Sequence, residues 1–84
     1  MFYVYVLFSK NHNRNVTGMS INVEKRLNQH NLKQNTSTKA YTPWEIIYTE
    51  GFKTRVEARK KEKYLKSGIG REFIKSLLNS YITY

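Results

Sequence analysis

A chain of 84 residues suffices for one domain with a single modest core and leaves no room for a second module. Fifteen Lys and Arg against six acidic residues, all of them Glu, give a net charge of +9, a self-repelling excess that suits a polyanionic partner, nucleic acid first. The absence of Cys excludes disulfides and thiolate metal sites, and no apolar run is long enough for a membrane span, so the reading is a cytoplasmic protein.

The opening MFYVYVLFSK is too short and too aromatic for a signal peptide. Within it FYVYVLF, residues 2–8, is a continuous β-branched and aromatic run, the pattern of a central strand covered on both faces. Alternation sets Tyr3, Tyr5 and Leu7 on one side and Phe2, Val4, Val6 and Phe8 on the other. The polar residues 9–14 read as a turn with His12 in solvent, and residues 15–18 return antiparallel as a short second strand that ends at Gly18. Ser20 or Asn22 then caps a helix over residues 23–32. Val23 and Leu27 form its apolar seam, Arg26 and His30 lie four residues apart along one flank, and Lys25 and Gln29 point to water. That flank is either an ordinary solvated surface or a cation and an imidazole set at the edge of the core to meet a ligand.

Residues 33–42, KQNTSTKAYT, show no period and read as a loop. Pro43 closes it, and WEIIYTEGF forms a third strand with Trp44, Ile46 and Tyr48 on one face, Ile47 on the other, and Gly51 at the exit. Thr54 followed three residues later by Glu57 is a capping box, which starts a second helix at Arg55 and runs it to about Lys66, with Gly68 as the stop. A third helix, about Arg71 to Asn79, turns Phe73, Ile74, Leu77 and Leu78 inward, and the tail SYITY adds a last aromatic contact. The element order is β-β-α-β-α-α.

In the second helix Ala58 and Leu65 mark the buried face and Glu62 falls between them, while Arg55, Arg59, Lys60 and Lys63 project elsewhere. A carboxylate set inward is costly without a partner. Two partners are available: Lys66 in an i,i+4 ion pair, or a hard divalent cation such as Mg²⁺ shared with a substrate phosphate and water.

YVYVL, NVTGMS, VEKRLNQHN, TPWEIIY and ARKKEKYLKSG follow one another in an order and at a spacing that resembles the GIY-YIG nuclease family, especially its small stand-alone bacterial members. The resemblance covers almost the whole chain and implies a single α/β (α+β) domain over residues 1–84. It also implies a three-stranded antiparallel sheet flanked by helices, and Mg²⁺- or Mn²⁺-dependent hydrolysis of a DNA phosphodiester. The first family motif falls on Tyr3, Val4 and Tyr5, and the second on Val16, Thr17 and Gly18. The family's arginine matches Arg26, a histidine of this branch matches His30, and the metal-binding glutamate matches Glu62. Val16 stands where the second motif begins with a tyrosine, and Met19 where some relatives carry a lysine.

The chemistry follows that picture. Phosphodiester cleavage needs an activated water, a counter-charge for the pentavalent transition state and help for the departing oxygen. Tyr5 is the general base or the group that orients the water, with His30 assisting. Arg26 meets the developing charge on the phosphoryl oxygens, and Glu62 holds one metal ion. A tyrosine accepts a proton only as phenolate, which requires a cation close by. Asn31 either supports the site by hydrogen bonding or caps its helix. Lys33, Lys39, Arg55, Lys60 and Lys63 are candidates for backbone phosphate contacts, which position DNA without reading its sequence. The expected substrate is branched, nicked or flapped DNA in repair or processing, with no small-molecule cofactor. Two other readings stand beside it: a member of the same fold that binds nucleic acid without cutting it, and a small basic RNA- or ribosome-binding protein in which Arg26, His30 and Glu62 form no site.

Overall fold

In the computed structural model, which describes residues 1–32 and 39–82, strand β1 (Phe2–Ser9) runs between β2 (Arg14–Ser20) and β3 (Glu45–Phe52). The sheet is antiparallel throughout, in the order β2-β1-β3. A middle strand with both faces covered has no solvent side, which accounts for the unbroken apolar run of β1; Val4 to Ser9 are all buried. Helix α1 (Val23–Asn31) covers one face, and α2 (Arg55–Lys66) with α3 (Gly68–Ile82) covers the other. A short 3₁₀ turn (Lys39–Tyr41) leads into β3. The observed order is β-β-α-β-α-α, that of an α/β domain of three antiparallel strands and three helices.

The pleat divides the core in two. Val4 and Val6 pack with Ala58, Leu65 and Ile74 under α2 and α3. Tyr5 and Leu7 pack with Trp44, and Val16, Val23, Leu27 and Ile46 close over them on the α1 side. Each of the larger side chains contributes about 1.5–3 kcal/mol by burial.

The β3 alternation differs from the sequence expectation. Val6 pairs with Tyr48 and Leu7 with Ile46, so Ile47 is the extra residue of a bulge. One inserted residue inverts which face the later residues occupy. Trp44 and Ile46 therefore enter the α1-side core, while Ile47 and Tyr48 enter the other, where Tyr48 meets Phe73 edge to face at 5.4 Å.

The helix ends follow local chemistry. Asn22 Oδ1 accepts from the Lys25 N–H at 3.0 Å and so caps α1, while Ser20 Oγ accepts from the Asn22 N–H at 3.0 Å and orders the approach. Thr54 Oγ1 accepts from the Glu57 N–H at 3.2 Å, the capping bond that the Thr–Glu spacing implied. α3 begins at Gly68, three residues before the expected start. Ser67 ends α2 through its N–H to the Tyr64 carbonyl at 3.0 Å, and its Oγ accepts from the Gly70 N–H at 3.3 Å to start the next helix. Gly68 is thus the first residue of a helix, not a stop. Gly70 is the closest approach of α2 and α3: a Cβ there would collide with the Tyr64 carbonyl oxygen and the Leu65 backbone. No helix among the described residues is long and apolar enough to cross a membrane. The loop reading of residues 33–38 and the aromatic contact expected of Tyr81 and Tyr84 lie outside the described residues and side chains.

Candidate active site

The hairpin register sets Tyr5 opposite Gly18. The phenol ring lies flat across that residue, for a Cβ at position 18 would collide with Tyr5 Oη and Cζ. The glycine thus lets a tyrosine lie against the edge strand. Tyr5 is 2% exposed, and its hydroxyl makes no hydrogen bond among the described residues, so that oxygen has capacity for a water. Val16, opposite Leu7, belongs to the same α1-side core as Tyr5. Tyr3 is half-buried at the start of β1 and lines a shallow cleft of about 310 Å³ with Val23, Ile46 and Thr49.

On α1 the seam of Val23 and Leu27 packs onto this face, and His30 is its most deeply buried residue at 2% exposure. The His30 ring lies 6.1 Å from the Trp44 ring. Burial, and then the Arg26 guanidinium, hold its pKa below the ordinary 6.5, so the imidazole is neutral at pH 7. Arg26 is itself steadied: its Nη1 donates to Gln29 Oε1 at 3.0 Å. Gln29 is therefore half-buried and does not point to water as the spacing suggested. Asn31 does not cap α1. Its Nδ2 donates to the Trp44 carbonyl at 3.1 Å and its Oδ1 accepts from the Trp44 N–H, clamping the end of α1 to the entrance of β3.

Glu62 is 8% exposed on the buried face of α2, between Ala58 and Leu65. Both oxygens are engaged: Oε2 with Lys66 Nζ at 3.1 Å and Oε1 with Arg59 Nη1 at 3.1 Å. Lys66 is the partner the spacing offered. Arg59 is an addition, since the helical wheel sends it elsewhere and its long side chain bends back along the i,i+3 row. No hydrogen bond or ion pair joins Glu62 to Tyr5 or Arg26 among the described residues. The sheet stands between the helix that carries Arg26 and His30 and the helix that carries Glu62, and both helices touch β2, an edge strand.

These donors fit one kind of metal site. No group of three or more His, Cys, Asp or Glu is gathered among the described residues, which does not suit an all-protein cage. A nearly buried carboxylate whose present partners are two exposed, flexible cations suits a hard cation completed by phosphate and water. Among the expected phosphate contacts, Arg55, Lys60 and Lys63 are exposed, and Arg55 lies 5.6 Å over the Phe2 ring. Lys33 and the side chain of Lys39 lie outside the described residues. The sequence reading missed Gln29 and Trp44. The i,i+3 spacing from Arg26 was a usable signal for the first, and nothing local pointed to the second.

A family model, described as the GIY-YIG catalytic domain, matches residues 1–72, which include Tyr5, Gly18, Arg26, His30 and Glu62. No curated protein and no solved structure matches the chain.

Proposed function

From the premise that this chain belongs to the GIY-YIG family, and at that level is a nuclease domain, we propose that it is an endonuclease that hydrolyses DNA phosphodiester bonds with Mg²⁺ or Mn²⁺. The observation that carries the reading is the seat of Tyr5 on Gly18 within a domain matched over residues 1–72. The scissile phosphodiester sits at the edge of β2, the strand approached by α1 from one face and by α2 from the other. There Tyr5 Oη orients the attacking water, and the Arg26 guanidinium, steadied by Gln29, meets the charge that grows on the phosphoryl oxygens. His30, neutral and buried, assists from behind by fixing the α1 flank on Trp44. Glu62 is the carboxylate that would hold the cation, which would release Arg59 and Lys66 to phosphate. A cation held there would supply Lewis-acid polarisation of the phosphate. The expected substrates are branched, nicked or flapped DNA in repair or processing, in the cytoplasm.

The second reading, a domain that binds without cutting, draws on Val16, which places an apolar side chain where the family's second tyrosine belongs. One assay separates the two. Purified protein is incubated with labelled linear, nicked, flapped and branched DNA and either cation; the nuclease reading requires cleavage of at least one substrate, lost on Arg26→Ala with the fold intact. Binding of every substrate without cleavage under either cation selects the second reading. Preference for RNA, unaffected by substitution of Arg26 or Glu62, selects a small RNA-binding protein.

A further inference from the structure

On the face covered by α2 and α3, an open groove of about 440 Å³ runs between the β1–β2 turn and α3. Arg71 and Lys75 line its helix side, Asn13 and Asn15 its strand side, and Ile74 and Leu78 supply the apolar surface between. A second cavity, of about 210 Å³, shares Asn15, Arg71 and Ile74 with the first and adds Lys66. The shared residues set the two cavities side by side, and the pair is termed the channel. Lys66, which lines the second of them, also holds Glu62 at 3.1 Å.

The charge in this channel is one-sided. Among the described residues no carboxylate lines either part. On α2, Arg59, Lys61 and Lys66 are each paired with a glutamate, but among the described residues Arg71 and Lys75 pair with none. These two cations are four residues apart on one helix, about 6 Å along its axis and on the same face. The flanking amides donate and accept hydrogen bonds, and Ile74 with Leu78 offers a sugar or base an apolar surface.

The geometry points to this channel as the track for one unpaired strand of DNA, its phosphates on Arg71 and Lys75, leading past Lys66 to Glu62. The inference rests on the nuclease reading and deepens it: an unpaired strand is what nicks, flaps and branches offer and an intact duplex does not.

Fluorescence anisotropy of a labelled single-stranded oligodeoxynucleotide, measured in EDTA so that cutting plays no part, tests it. Arg71→Ala/Lys75→Ala should weaken binding roughly 10-fold or more and reduce the slope of log K against log salt by about 1.4, the share of two phosphate contacts on a single strand. The control Lys25→Ala/Lys53→Ala removes the same charge from exposed positions outside the channel and should change binding less than about 3-fold. Circular dichroism confirms that both variants are folded. Equal loss in the two variants, or no loss in the first, overturns the track, as does tighter binding of an RNA strand through the same two residues. The two proposals fail separately. A wild-type protein that never cuts, but loses strand binding on Arg71→Ala/Lys75→Ala, keeps the track and loses the nuclease. One that cuts through Glu62, yet binds equally without Arg71 and Lys75, does the reverse.

Discussion

Val16 stands where the resemblance to the family's second motif puts a tyrosine, and its surroundings say what a tyrosine there would meet. It packs half-buried on the α1 side beside Leu7, two residues along the edge strand from the glycine that seats Tyr5. A tyrosine at that position would start from the face on which Tyr5 lies, diagonal to it across the pair of strands, within reach for an aromatic side chain. Val16→Tyr should therefore raise the cleavage rate at least several-fold, read by single-turnover kinetics; an unchanged rate would mean that one hydroxyl is sufficient. His30 carries a prediction about stability. Its folded pKa lies below the ordinary 6.5, so as pH falls below that value the unfolded chain takes up the proton first. The stability from the neutral buried imidazole is present above about pH 6.5 and is lost as pH falls through the folded value. Thermal melts should show Tm decreasing from about pH 7 to pH 5.5, and His30→Gln should flatten that decrease. An identical slope in the variant would contradict the assignment. The residue types of the site were legible in the sequence because the motif letters and the i,i+4 spacing are local. The burial of His30 and the second partner of Glu62 were not, because Trp44 and the curl of Arg59 are matters of tertiary packing.

At the scale of elements, the clamp between α1 and β3 sets the position of Arg26 and His30 relative to the sheet. Asn31 satisfies both the N–H and the carbonyl of Trp44, and Trp44 is 3% exposed. Asn31→Ala removes both bonds, which should cost about 1–3 kcal/mol in urea unfolding. If the loss stays within 0.5 kcal/mol, the amide is a surface feature and not a clamp. α2 was legible to the residue, since Thr54 and Glu57 announce its start within one turn and its apolar positions repeat at the helical period. The start of α3 was not, because Gly68 and Gly70 look like breakers to any local rule. Ser67 caps the new helix, and Gly70 is small because the backbone at Tyr64 and Leu65 occupies the place of its Cβ. The bulge at Ile47 was hidden for a related reason: only its pairing with β1 shows that one residue is extra. Its consequence reaches Tyr48, which leaves the α1 side, donates to Glu50 Oε1, and has its pKa pushed up to about 12 by burial, that hydrogen bond and the carboxylate charge.

Over the whole molecule, the +9 charge read from composition is distributed with a pattern the sequence did not reveal. Glu50 and Glu62 are spent on cations of α2, whereas the basic residues of α3 beside the edge of the sheet keep theirs unopposed among the described residues. Fold class and element order were legible, because strand and helix periods differ and the family motifs span most of the chain. The relation between the two halves of the candidate site was not. Tyr5 and Arg26 belong to one face of the sheet and the helix of Glu62 to the other, and a list of motif letters carries no face. The account joins them at the β2 edge, and its weight falls on Glu62. Glu62→Gln keeps the shape of the side chain and leaves its two partners, both exposed, to solvent, so the fold should survive, as circular dichroism checks. The most direct measurement is single-turnover cleavage of labelled flapped and branched DNA in Mg²⁺ by the wild-type protein and by Glu62→Gln, with binding of the same DNA followed in parallel. The account predicts cutting by the wild type and binding without cutting by Glu62→Gln; equal cutting by both proteins would contradict it.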